Sequence, residues 1–170
     1  MKIAIIGNCG SGKSTLGLKL HHLLGIPLYH LDQYFWRPGW QEPDRAEFQK
    51  IHEGLCDRQS WIIEGMAIRF FDYRIQKADV IIFLDMPTAL CLYRVCKRAV
   101  THFGKVYFSS APGCPERGPD RKFLKFICSY NRDKRPVIES LLHQYTDTKK
   151  IFVIRNKHEA DDFIKHWPME

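Results

Sequence analysis

The chain has 170 residues, 45% of them hydrophobic, which suits one domain with a single core and argues against disorder. Its formal net charge of +7 is concentrated in residues 94–135, where eleven Lys/Arg stand against three Asp/Glu; such a block can hold the phosphates of a small ligand or of a nucleic-acid backbone, whereas a general nucleic-acid coat would be spread more widely. No apolar run approaches the roughly 20 residues that span a bilayer, and six scattered cysteines without a C-x-x-C pair point to free thiols, with neither a disulfide framework nor a structural zinc expected.

In chain order, Lys2–Ile6 is the first expected strand, and its continuous apolar run predicts burial on both faces. One lysine ahead of a glycine-rich turn is not the pattern of a signal peptide, so a cytoplasmic location is expected. Leu16, Leu20, Leu23 and Leu24 fall on one face of a helix. Pro27–Leu31 reads as the second strand. Asp44 and Glu47 resemble a capping pair ahead of a helix bearing Phe48, Ile51 and Leu55. Ser60–Glu64 and Val80–Leu84 are the third and fourth strands, and a helix is predicted from near Thr88. Residues 101–121, with three prolines and three glycines, form a long surface loop. Phe123, Phe126, Ile127 and Tyr130 repeat at helical spacing; Lys150–Ile154 is the fifth strand; Ala160, Phe163, Ile164 and Trp167 mark a last helix. Alternating strand and helix implies an α/β fold with a parallel sheet covered on both faces.

Gly7-Asn8-Cys9-Gly10-Ser11-Gly12-Lys13-Ser14, followed by Thr15, matches G-x-x-x-x-G-K-[ST] between a buried strand and a leucine-striped helix. The glycines let successive N–H groups converge on phosphate oxygens, and the helix start adds its positive end. In this motif Lys13 is expected to reach the β/γ-phosphates of a bound nucleotide and the Ser14 hydroxyl to ligate Mg²⁺. In open parallel sheets ligands bind beyond the carboxyl ends of the strands, where three acidic residues are expected. Glu64 or Asp85 is the candidate to support the metal, Glu64 being preferred because Gly65 beside it would allow close ligand approach. Asp32 is placed to orient an acceptor hydroxyl or take its proton. Tyr34, Phe35, Trp36 and Trp40 either line an acceptor pocket or pack a flap onto the body. Arg94 and Arg98 share a helix face. With Arg135 and the loop arginines, they are candidates to stabilise charge on a moving phosphoryl group.

The stretches GNCGSGKST, LDQYFWRPGW, WIIEG, ADVIIFLDMP, the Arg94/Arg98 pair, and GCPER with FLKFICSYNRDKRP resemble the small P-loop kinases of the adenylate-kinase-like group. Within that group they are most similar to the topology modulation protein (FlaR-like) family. The resemblance implies a three-layer P-loop NTPase fold of one domain over residues 1–170. It also implies a five-stranded parallel sheet, an acceptor flap around 34–58 and a lid around 101–121, with Arg69 or Arg74 as candidate acceptor ligands. Glu64 departs from the aspartate usual in relatives. Asp32 resembles the carboxylate kept by kinases that act on hydroxyl groups. The expected activity is transfer of the γ-phosphate of ATP, with Mg²⁺, to a nucleoside, nucleotide or other hydroxyl compound, in a monomer or homodimer without a membrane. The alternative is a nucleotide-binding regulator that contacts DNA or RNA through residues 94–135.

Overall fold

A computed structural model describes residues 1–167. The apolar run at the amino end forms β1 (Lys2–Gly7), and the other expected strands follow as β2 (Leu28–His30), β3 (Trp61–Glu64), β4 (Val80–Leu84) and β5 (Lys150–Ile154). All pair in parallel, in the order β2-β3-β1-β4-β5. The chain runs outward to β2, returns to β3, then crosses β1 to reach β4 and β5. The reversal falls at β1, and open parallel sheets place a ligand crevice at such a point, beyond the carboxyl end of the central strand.

Burial on both faces accounts for the uninterrupted apolar strands. Ala4 and Ile6 of β1 point into one core with Phe48, Trp61, Phe83, Tyr130 and Ile138. Ile3 and Ile5 point into the other with Leu16, Leu20, Ile82, Val95 and Ile127. The covering helices are α1 (Lys13–Leu24), α2 (Leu31–Phe35), α3 (Arg45–Cys56), α4 (Phe71–Lys77), α5 (Thr88–Thr101), α6 (Arg121–Asp133), α7 (Arg135–His143) and α8 (Lys157–Lys165). Leu16 and Leu20 of the leucine stripe are buried, whereas Leu23 at the end of α1 is half exposed.

The Asp44–Glu47 pair does half of what its spacing predicts. Asp44 caps α3 by accepting from the amides of Ala46 and Glu47. Glu47 does not return the bond and pairs instead with Arg37. Between α5 and α6, residues 102–120 contain only isolated bridges, among them Phe103 with Glu116 and Val106 with Pro115. Residues 36–44 are likewise mostly irregular. Among the described residues, no helix is long and apolar enough to cross a membrane.

Asp44→Ala leaves the two amides of α3 without their side-chain acceptor. It is expected to cost about 1 kcal/mol of folding stability, read as a lower urea midpoint at unchanged slope.

Candidate active site

The loop after β1 is built to leave amides open. Gly7, the last residue of β1, pairs with Leu84 of β4. Asn8 is buried and fastens the loop: its Nδ2 donates to Ile127 O at 3.2 Å, and its Oδ1 accepts from Cys9 N at 2.8 Å. Gly10 lies directly on α5. At its φ of 78° a Cβ would stand 2.3 Å from Cys91 O, so only glycine fits. Arg94 of α5 braces the same loop through Nη1, 3.0 Å from Ser11 O and 3.4 Å from Gly10 O. Helix α1 then starts from Gly12, in the left-handed region, with no side-chain cap. Its first-turn amides and positive end therefore face the crevice without a protein acceptor. Among the described residues, the buried Ser11 hydroxyl also has no partner. Lys13 is held over the loop, with Nζ donating to Asn8 O at 2.9 Å.

A chain of polar groups borders this cup. Ser14 Oγ donates to Glu64 Oε1 at 2.8 Å, and His30 Nδ1 meets the same oxygen at 2.6 Å. Burial works against ionisation of Glu64. The His30 hydrogen bond, Lys13 and the Ser14 hydrogen bond outweigh it and hold the carboxyl below its usual range. Asp32, in the first turn of α2, shares the same crevice. Enclosure by the surrounding protein, followed by the charge of Glu64, pushes its carboxyl up to about 6, against Lys13, Arg98 and His30. The residue is still exposed to the solvent of the crevice, which moderates that enclosure.

Gly65 has a packing role. At φ 143° its missing Cβ makes room for Leu31, whose own Cβ would lie 2.7 Å away. The glycine therefore allows close packing of α2 against β3. Asp85, at the end of β4, is engaged by Arg135: Nε and Nη2 reach its two oxygens at 2.9 Å each. Arg135 also meets Glu139 at 3.0 Å. Glu64, and not Asp85, is therefore the carboxylate beside Ser14.

Arg94 and Arg98 share a helix face but have different partners. Arg98 Nε stands 2.9 Å from Glu116 Oε1. The angle is outside hydrogen-bond geometry and neither atom has another partner, so the pair is a charge contact. The Arg98 guanidinium also lies 5.2 Å over the Tyr107 ring. Arg74 is fully buried, donates to Gly65 O at 3.1 Å and lies 4.9 Å from the centre of the Phe71 ring. This burial withdraws it from a ligand in the crevice, whereas Arg69 is exposed.

The aromatic run packs more than it lines. Phe35 stacks edge-on against Phe48 in the core, and Trp36 against Trp40. Trp40 Nε1 donates to Pro115 O at 2.9 Å, and Gly39 N to Gly113 O at 2.9 Å. Gln33 Nε2 donates to Phe108 O at 2.8 Å, and the Cys114 thiol to Arg37 O. The segment after α2 and the loop before α6 are thus stitched into one cover, with the Phe108 ring edge-on to His30 at 5.5 Å. His30 and Glu116 were not foreseen as functional residues. The only sequence cues were the place of His30 at the end of a strand, two residues before Asp32, and that of Glu116 within GCPER.

This topology and loop define the P-loop fold of the small nucleoside and nucleotide kinases. Among solved structures, the chain is similar to shikimate kinase from Acinetobacter baumannii in complex with shikimate, with a TM-score of 0.60 and 16% identity over 96% of this chain and 88% of that one. It is also similar to deoxyadenosine kinase from M. mycoides with bound dATP, with a TM-score of 0.55 and 15% identity over 98% of each chain. The uncharacterized protein YqaC of Bacillus subtilis (strain 168) is 26% identical over 147 residues, 84% of this chain and 80% of that one. No protein-family model matches. These likenesses fix the fold and do not single out the topology modulation proteins.

The raised Asp32 carboxyl makes a stability prediction. Its folded value near 6 lies above the 3.8 of an ordinary aspartate, so the folded state binds the proton more tightly and ionisation costs stability. Asp32→Asn is expected to raise the melting temperature at pH 7, with a gain that shrinks as pH falls from about 6 and vanishes below about 4. Melting curves at pH 4, 5, 6 and 7 check this; a gain independent of pH would contradict it.

Proposed function

We propose that the protein is an ATP- and Mg²⁺-dependent phosphotransferase that moves the γ-phosphate of ATP to the hydroxyl of a small acceptor. The observation that carries this reading is the uncapped start of α1, with Lys13 above it and the Ser14–Glu64 pair at its edge. The open amides and the orphaned Ser11 hydroxyl fit phosphate oxygens. A hydroxyl beside an ionised carboxylate is a hard oxygen set that fits Mg²⁺. Among the described residues no three His, Cys, Asp or Glu side chains group as a metal cage. When bound, Mg²⁺ supplies charge neutralisation at the β- and γ-phosphates.

The remaining work belongs to the chain. The loop amides and Lys13 hold the triphosphate tail in line with the acceptor. Asp32 accepts the proton of the acceptor hydroxyl as that oxygen bonds to the γ-phosphorus, and the bond from phosphorus to the bridging oxygen breaks to release ADP. Arg98, steered by Glu116, faces the charge in flight, while Arg94 keeps the loop in shape. Arg135 and Asp85 set the far wall of the crevice. Closing of this cover over bound substrates excludes water that would otherwise take the phosphoryl group. Among the described residues, Asp32 is the carboxylate in the crevice without an ion pair or side-chain hydrogen bond, which favours a hydroxyl acceptor.

A nucleic-acid role draws less support. Arg94, Arg98, Arg117, Arg132 and Arg135 of the basic block are engaged within the molecule, with loop carbonyls, Glu116, the Trp40 ring, Asp133 and Asp85. Lys97, Lys105, Arg121, Lys122 and Lys125 of the same block are exposed, so this engagement concerns the arginines nearest the site.

An ATP-consumption screen across nucleosides, nucleotides and small hydroxyl metabolites tests the reading. Lys13→Ala removes a charge-assisted contact worth about 1.5–3 kcal/mol and should weaken ATP binding ~10–100-fold. Asp32→Ala should lower turnover ~10²–10⁴-fold with ATP affinity nearly unchanged. Turnover of the native chain should fall as pH drops through about 6, where Asp32 gains its proton. Full turnover by Asp32→Ala would remove the base assignment.

A further inference from the structure

His30 has no part in the chemistry described so far, yet it is among the best-placed groups in the crevice. It ends β2 and stands in register with Glu64, which ends β3. Neighbouring positions on parallel strands put both side chains on one face, and both are more than nine-tenths buried, at 7% and 4% exposed. His30 Nδ1 and Ser14 Oγ converge on a single oxygen, Glu64 Oε1, at 2.6 and 2.8 Å. Among the described residues, the second oxygen receives no protein donor. Ser14 spends its one hydroxyl proton on Glu64, which leaves its lone pairs available. An ionised carboxylate can only accept, so the imidazole must carry its proton on Nδ1. The edge of Phe108, from the loop before α6, covers the ring.

We infer that His30 is a positioning residue for the metal shell. It pins one oxygen of Glu64 so that the other faces the Mg²⁺ water shell, and it keeps Ser14 turned with its lone pairs toward the ion. This inference rests on the phosphotransferase reading above. A buried histidine that only packed against Phe108 would not need a 2.6 Å bond to the oxygen that Ser14 also uses. Outer-shell partners of metal ligands typically change metal affinity or activity 10–100-fold when removed.

The test uses the full chain and two substitutions. Calorimetric titration with ATP is run once with Mg²⁺ and once with EDTA, and the ratio of the two affinities is the magnesium gain. His30→Leu keeps an apolar side chain of similar bulk and removes the donor; the expected result is a magnesium gain ~10–100-fold smaller, with the metal-free affinity unchanged. His30→Asn places an amide N–H the same number of bonds from the backbone as Nδ1, and it should recover most of the gain. Should His30→Leu fail to fold, His30→Gln replaces it, because its donor sits one bond further out and cannot reach the same point. Three results overturn the inference while leaving the phosphotransferase reading in place: an undiminished gain in the donorless variant, an equal loss in both variants, or a loss of metal-free affinity of the same size. A native chain that binds no ATP, with or without Mg²⁺, overturns the reading itself and the inference with it.

Discussion

The architecture turns on one unsatisfied helix end. Helix α1 begins at a left-handed glycine with no side-chain cap, at the carboxyl end of the central strand. A buried helix end without partners is costly, so the rest of the molecule is arranged to keep this one open to an anion and rigid. β4 pairs with Gly7, α5 supports Gly10 and supplies Arg94, and α6 holds Asn8. Three elements far apart in sequence thus hold Gly7, Asn8, Gly10 and Ser11 of the loop. The ordering cost of the loop is met by the fold before any ligand arrives, which is what preorganisation means physically.

Around that end, charges are paired so that each constrains another. Glu64 receives Ser14 and His30; Asp85 receives Arg135; Arg98 meets Glu116. Asp32 has no such partner. Its raised pKa reflects the protein mass around it and the proximity of Glu64. Two carboxyl groups in one crevice are thereby driven in opposite directions, one kept ionised and one near the pH where it exchanges a proton. That division is a common way for one site to hold both an electrostatic anchor and a base.

Most of the fold was legible in the sequence because its signals are local. β1 and β4 are runs of buried apolar residues, and α5 and α6 have clear periodic faces, so their positions follow from burial alone. Helices α2, α4 and α7 were not legible; α4 is only seven residues long. Helix α2 is five residues long, too short to display a period, and α7 follows α6 after one residue, with Pro136 in its first turn. The loop motif could be read because it is contiguous. The pairings of Glu64 with His30, Asp85 with Arg135 and Arg98 with Glu116 join residues 18 to 50 positions apart, which strand register and loop path bring together. Gly65 shows the same limit, since its neighbour Leu31 lies on another strand's continuation. The aromatic run was readable as bulk, but its role as a seam between two covering segments depends on where residues 108–117 return.

The central claim is that the amides at the start of α1 hold a triphosphate tail. A crystal structure of the chain grown with Mg²⁺ and a non-hydrolysable ATP analogue tests it directly. The account predicts the β-phosphate against the amides of residues 10–14, with Lys13 Nζ turned from Asn8 O onto phosphate oxygen. Nucleotide bound elsewhere, with Lys13 still on Asn8 O, would contradict it.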